Sequence, residues 1–351
     1  PLTMSLPFEV ERVYMKVVFQ KFKKEVFIMI TLLTLIAGAE LVSSIVNAQT
    51  LDTLVNMDIH NFFYKAICLV VIFAFYLLFT YMLIRYQAYF NQKVATWLRD
   101  RISHSIEATS YGRFYEKNSQ TYISWFTSDL EQIKGNAMNP TFEVIGGIIS
   151  AVISAVALFM YHWSIVLLAA ICIVIMAVLP ALFSAELTEK TIKVSEANEK
   201  FAKSISDLLS GYDTLFVFRK LAYLKEKIHE KSGEVGDTHR DFSKSMAKVA
   251  VSGGIGNVFS QISVFILTGY LAYIGEVSIG SILAAMALSS TIFNVLGNIS
   301  QKIGSIKSAD SLFNKYEQLE PADLVEEVPE EAPRTLIEVS DVSFNYGEKV
   351  I

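Results

Sequence analysis

The chain has 351 residues, of which 52% are hydrophobic and 19% are charged, and its formal net charge at pH 7 is −5. Its positive mean hydropathy and long apolar runs are not those of a soluble domain and predict a membrane protein. The lack of a basic tract argues against nucleic acid as a partner, and the two cysteines, far apart in sequence, argue against a disulfide framework or a metal site.

The first 25 residues mix apolar and charged side chains. Phe8, Val13 and Val17 fall among charges, a pattern typical of a helix that lies in the membrane interface. Lysine and arginine in front of the first apolar run place the N-terminus in the cytoplasm. We therefore predict an interfacial elbow helix within residues 1–25.

Six apolar segments have roughly the 20 residues that are needed to cross the hydrocarbon layer. They are predicted at about 26–46, 63–84, 143–161, 164–185, 249–273 and 279–301. The loop after the first segment and the two short hairpin turns carry no lysine or arginine, so these connections are predicted outside and both chain termini inside. The predicted fold is an all-α membrane protein.

The two internal connections are far too long to be simple loops. Residues 87–141 and 187–247 carry apolar side chains at helical spacing, and each is interrupted once, at 110–112 and at 210–213. The simplest geometry is that spans two to five continue as helices into the cytoplasm, turn and come back. A 25-residue extension would reach roughly 35–40 Å from the membrane.

Aromatic side chains occur at both turns. The first turn contains Phe114 and Tyr115, and the second contains Tyr212, Phe216 and Phe218. Exposed aromatic residues on a loop tip favour contact with a partner surface. The alternative is that these rings pack within the helical bundle.

Polar residues inside the spans are candidates for a substrate cavity, because such groups are costly when they face lipid. Span five carries one polar stripe, formed by Asn257, Gln261 and Thr268. Span six carries a second, with Asn294 and Asn298, and Glu40 is the single acid in span one. The alternative for the two stripes is hydrogen bonding between helices. Glu40 either adds a negative charge to the cavity or reaches the outer interface.

The last part of the chain changes in character. Residues 320–335 are acidic and contain proline, which is typical of a linker. The segment from Leu336 to Tyr346 then alternates apolar and polar residues, which predicts a β-strand within 336–351. We expect this strand to open a further domain.

That strand resembles the start of the nucleotide-binding domain in ATP-binding-cassette (ABC) transporters, whose pattern is I-E-hydrophobic-x-x-V-x-F-x-Y. The membrane part is similar to the six-helix domain of the exporter branch. Phe114-Tyr115-Glu116-Lys117 resembles the F-F-D-K of its first coupling helix, and Gly211, Tyr212 and Asp213 with Phe218 resemble its second coupling segment. The sequence differs from that family after the first coupling helix, where it has Gln120 and Thr121 and the family often has glycine.

The resemblance implies one half of an exporter that acts by alternating access on a hydrophobic or amphipathic drug, lipid or peptide. It further implies a second half-transporter as partner, identical or different, in a plasma membrane that composition suggests is bacterial. ATP and Mg²⁺ would bind to the nucleotide-binding domain, with Tyr346 stacking on adenine, while residues 1–351 carry no catalytic residue. A membrane scaffold that docks a cytoplasmic protein and a secondary transporter are the alternatives.

Overall fold

The computed structural model describes residues 17–317, 345–346 and 349–350, with side chains at 17–299 and 301–309. Residues 17–21 are helical, and in chain order there follow α1 (Lys23–Val55), α2 (Ile59–Glu107), α3 (Tyr111–Tyr115), α4 (Ser119–Phe126), α5 (Ser128–Ile133), a π-helical turn (Lys134–Met138), α6 (Asn139–Tyr161), α7 (Trp163–Ser210), α8 (Tyr212–Val217), α9 (Leu221–Tyr273) and α10 (Ser281–Glu317). The strands β1 (Asn345–Tyr346) and β2 (Lys349–Val350) pair antiparallel.

Six helical stretches in the described residues are long and apolar enough to cross a membrane. The all-α fold with six spans is therefore confirmed. The spans belong to α1, α2, α6, α7, α9 and α10. The acidic linker at 320–335, residues 1–16 of the elbow helix and most of the predicted strand lie outside the described residues.

Three hairpins connect the spans on one side of the membrane, called here the hairpin side; the opposite side, where α2, α7 and α9 continue, is called the extension side. The first hairpin turns at Met57, two residues after α1, with a φ of 57°, and the last turns at Gly275, two residues after α9, with a φ of 84°. At both ends the next amide donates to a carbonyl five residues back, which satisfies the end of the helix. Asp58 then caps α2, and its hydrogen bonds from Asn61 hold the Asp58 pKa below its ordinary value.

On the extension side, the N-terminal elements as far as α6 share one hydrophobic core with α10. Its centre is Phe90 of α2, which is fully buried and makes edge-to-face contacts with Phe22 and with Phe142 of α6. The predicted elbow segment contributes Val18 to this core, and α10 contributes Ala309. Burial of these rings removes a large apolar area from water and joins the first three spans to the last.

A second core lies within the membrane, among α6, α7, α9 and α10. Cys172 of α7, Val264 of α9 and Phe293 of α10 are fully buried in it. The apolar stretch of α2, in contrast, is not buried by the rest of the described chain. That surface is therefore left for lipid or for another chain.

On the hairpin side, the backbone of α1 lies very close to the backbone of Gly280, the residue in front of α10. The Gly280 amide donates to the Asp52 carboxylate at 2.6 Å, directly before α10 begins. A methyl group at Gly280 would lie 1.9 Å from the carbonyl oxygen of Ala48. Only glycine fits here, and the carboxylate is well placed at the positive end of a long helix.

We expect Gly280→Ala to lower the free energy of unfolding by about 1–3 kcal/mol, because the added methyl must push α1 away from α10. The thermal unfolding midpoint of the purified protein in detergent would measure this. Gly233→Ala is the control, since a methyl group added there would meet nothing within 4 Å and alanine is the better helix former. A midpoint for Gly280→Ala equal to that of Gly233→Ala would contradict the close approach.

Candidate functional site

The first tip is α3, which follows the end of α2 after a three-residue break at 108–110. Phe114 is half-buried, and its ring stacks on Tyr122 of α4 with centroids 4.7 Å apart and planes 9° apart. The Tyr122 hydroxyl donates to the Phe114 carbonyl at 3.0 Å. The expectation that Phe114 is exposed was therefore wrong: this ring fastens the tip to the core, as the bundle-packing alternative had it.

The exposed surface of this tip is made by its other aromatic residues. Tyr115 is 66% exposed and Tyr111 is 80% exposed, and their rings lie 4.7 Å apart. Glu116, which follows at the end of α3, is also exposed. Sequence reasoning missed Tyr111, although its spacing of four residues from Tyr115 on a helix was a usable signal.

The glycine that the resemblance led us to expect after this tip is not needed here. Asn118 adopts an extended conformation and its side chain accepts a hydrogen bond from the Gln120 amide at 2.9 Å. That bond caps α4, so Gln120 and Thr121 continue into the helix without backbone strain.

A polar contact joins α2 to α6 beside the core. The Asn139 side-chain oxygen, at the start of α6, accepts from Gln87 at 3.0 Å and from Asn91 at 2.8 Å. The π-helical turn immediately precedes Asn139, and such turns are frequent at functional positions. These bonds fix α2 against α6 where the extensions enter the membrane.

The second tip is α8, between the long helices α7 and α9. Tyr212 is 44% exposed, Phe216 is 60% exposed and Phe218 is 70% exposed. Asp213 is exposed in the first turn of α8, and Gly211 is the residue that ends α7. The tip thus presents three exposed aromatic rings and one carboxylate, and their contact with a partner stays a prediction.

The chain leaves this tip through Arg219, which adopts a φ of 55°. The Lys220 amide donates to the Leu215 carbonyl at 2.8 Å, and the Arg219 amide donates to the Phe216 carbonyl at 3.0 Å. These two bonds close the end of α8 in the way that usually selects glycine. The tip therefore has a defined shape although its aromatic side chains are exposed.

The polar stripe of span five is only partly at the surface. Asn257 and Gln261 are half-buried, and the Gln261 amide donates to the Asn257 side chain at 2.8 Å. Thr268 is fully buried and its hydroxyl donates to the Val264 carbonyl one turn earlier. Thr268 therefore does not line a cavity in this conformation, because neighbouring helices cover it and its hydroxyl is satisfied within α9.

The stripe of span six is exposed and also bonds within its own helix. Asn298 donates to the Asn294 carbonyl at 2.9 Å, and Asn294 donates to Ser290 at 3.3 Å. Among the described residues, then, neither stripe is used for hydrogen bonds between helices. Gln261 lies in a groove of about 340 Å³ with Met286, whereas Asn294 and Asn298 lie in another of about 240 Å³ beside α6.

The two remaining predicted site residues are Glu40 and Tyr346. Glu40 is half-buried in α1, and no described cation pairs with it. Its backbone carbonyl accepts from Ser43 at 2.8 Å and from Ser44 at 2.9 Å. The side chain of Tyr346, the predicted adenine contact, lies outside the described side chains.

The arrangement of spans and tips agrees with a known family. A family model described as the ABC transporter transmembrane region matches residues 26–296. This range contains both tips and nearly all of the six spans. None of the curated proteins matches the chain.

We expect Phe114→Ala to loosen the first tip and to lower the free energy of unfolding by about 2 kcal/mol. This loss is smaller than for a fully buried ring, because Phe114 is only half-buried. Hydrogen–deuterium exchange of residues 111–126 should accelerate, because the stacking on Tyr122 is lost. Tyr115→Ala is the matched control: its ring is largely exposed, so exchange in the same segment should stay as in the wild type. Equal exchange in both variants would show that Phe114 does not fasten the tip.

Proposed function

Because the chain belongs to the ABC transporter transmembrane family, we propose that it is the membrane half of an ATP-driven exporter. Its substrate would be a hydrophobic or amphipathic molecule, such as a drug, a lipid or a peptide, that leaves the cytoplasm by alternating access. Lysine and arginine near the spans favour both termini in the cytoplasm, so the extension side would be the cytoplasmic side of a bacterial plasma membrane.

The observation that carries this proposal is the continuity of the helices between tips and spans. α2, α7 and α9 run without interruption for 49, 48 and 53 residues. At 1.5 Å per residue each is about 70–80 Å long, which is more than twice the hydrocarbon thickness. A displacement at the outer end of one of these helices is therefore passed to its span, since the helix is not interrupted on the way.

The partner at the tips would be a pair of nucleotide-binding domains that hold ATP and Mg²⁺. The exposed rings of Tyr115, Tyr212 and Phe216 suit such a contact, because aromatic residues supply much of the energy at protein interfaces. In this proposal nucleotide binding draws the domains together, and the tips follow. The ligand shifts the equilibrium only by its different affinity for the two states.

A second half-transporter, identical or different, would complete the cavity. In the single chain Gln261 faces one groove and the asparagines of α10 face another, so neither groove encloses a substrate by itself. The largely uncovered apolar stretch of α2 leaves surface for lipid and for the other half. Polar groups of both halves would then face a common path.

ATP hydrolysis tests whether the transporter is driven by ATP. The full-length gene product, purified and reconstituted in lipid, should hydrolyse ATP, and vanadate should inhibit it. The absence of nucleotide binding by the full-length product, alone or with any partner half, would overturn the exporter proposal and favour a membrane scaffold.

Two substitutions test the cavity. Gln261→Ala and Asn298→Ala should each raise the substrate concentration for half-maximal ATPase stimulation by about 3- to 10-fold, because each removes hydrogen-bonding groups worth about 1 kcal/mol. Asn198→Ala, an exposed amide on the extension of α7, is the control and should leave this value unchanged. Unchanged stimulation in both cavity variants would remove these residues from the substrate path.

Coupling is tested at the second tip. Phe216→Ala should lower substrate-stimulated ATPase activity several-fold with little change in the thermal midpoint, because the ring is 60% exposed and, apart from its stacking on Tyr212 of the same tip, would contact the nucleotide-binding domain. Val217→Ala is the control of similar exposure on the same turn. Equal activity of wild type and Phe216→Ala would place the coupling contact elsewhere.

A further inference from the structure

A groove between α6 and α10 combines a charged mouth, two carboxamides and an apolar wall. Glu143 of α6 forms an ion pair with Lys302 of α10. Asn298 and Asn294 line the same groove and lie about one and two helical turns before Lys302 in α10. Measured along the helix axis, they are roughly 6 Å and 12 Å from Lys302. The remaining lining residues are the apolar or small Val144, Gly147, Val295 and Ile299.

The mouth of this groove lies where membrane headgroups lie. Glu143 is the first residue of the predicted third span, and Lys302 directly follows the predicted sixth span. Their ion pair is therefore at the boundary between hydrocarbon and headgroups on the extension side. The carboxamides are deeper, at a depth where unpaired polar groups are costly.

The charged and polar groups of this groove are held only weakly by their neighbours in the protein. The side chains of Lys302 and Glu143 are 37% and 50% exposed, and ion pairs of that exposure are weak. Asn298 and Asn294 each use one of their two amide hydrogens within α10, and no described residue accepts from the other hydrogen or donates to either amide oxygen. A ligand can thus replace one partner of each charge and accept hydrogen bonds from both carboxamides without breaking a strong contact.

The width of the groove is fixed by close packing behind it. A methyl at Gly147 would lie 3.0 Å from Val295, so α6 and α10 approach closely at this level. The groove holds about 240 Å³, which is room for a small headgroup. A tail would have to follow the apolar residues out towards lipid.

We propose that this groove, the headgroup groove, binds the head of a zwitterionic amphipath. Glu143 receives the cationic group, Lys302 receives the anionic group, and the two asparagine side chains bond to polar atoms between them. A purely cationic head meets Lys302 and a purely anionic head meets Glu143, so each is disfavoured by one of the two charges. The inference rests on the proposed function, whose substrate class it narrows.

The test is competition for binding to the full-length protein in nanodiscs, without nucleotide. A fluorescent lysophosphatidylcholine is the probe, and the competitors are an alkyl phosphocholine, an alkyl trimethylammonium and an alkyl sulfate with the same tail. The phosphocholine should compete best with the wild type. Glu143→Gln should weaken it about 2- to 5-fold and shift preference towards the sulfate, whereas Lys302→Gln should shift it towards the trimethylammonium.

A second ion pair at the same boundary provides the matched control. Lys248 and Glu186 join α9 to α7 at 2.8 Å, with side chains 52% and 38% exposed. Glu186→Gln and Lys248→Gln should leave the order of the competitors unchanged. The headgroup groove would be overturned if the Glu186 and Lys248 variants changed the preferred competitor as much as the Glu143 and Lys302 variants do. It would also be overturned if the Glu143 and Lys302 variants did not change the preference in opposite directions.

A third variant keeps the test informative if a single neutralisation prevents folding. Glu143→Lys combined with Lys302→Glu preserves both the pair and the net charge, and should still prefer the phosphocholine to both singly charged competitors. Loss of that preference in the folded double variant would overturn the proposal. Because binding is read without nucleotide, failure of ATP turnover would defeat the exporter function separately, whatever the order of the competitors.

Discussion

The contact on which the rest of the structure depends is the burial of Phe90. Its ring lies at the point where α2 leaves the membrane, between Phe22 before α1 and Phe142 of α6. Edge-to-face packing of three rings holds the first three spans at one fixed distance where the extensions begin. The first tip is built on the same core through Tyr122 and Trp125, so its position relative to the spans is set there.

The two tips achieve a defined shape by different means. In the first, a stacked ring and a hydroxyl bond to the backbone fasten α3 to α4. In the second, the backbone bonds around Arg219 close α8, and the aromatic residues remain exposed. A rigid tip is what a coupling element needs, because a flexible one would absorb the displacement that it has to pass on.

Two of the ion pairs at the boundary between membrane and extension differ in what surrounds them. Glu186 is bonded to Lys248 and to Ser245, and joins two helices that continue side by side. Glu143 and Lys302 instead stand at the mouth of a groove whose deeper part carries carboxamides. The first arrangement suits a structural tie between rods, and the second suits a ligand.

The sequence by itself determined the six spans, the short hairpins between them and the two breaks in the extensions, because hydrophobic run length, helical period and turn residues are local properties. Tertiary structure alone decided which polar and aromatic residues are at the surface. Thr268 shares the helical face of Asn257 and Gln261 but is covered by neighbouring helices, and Phe114 is half-buried beside an exposed Tyr115. The requirement for glycine at position 280 likewise comes from a backbone more than 200 residues away. Burial depends on which distant segment packs against a residue, and no local pattern encodes that.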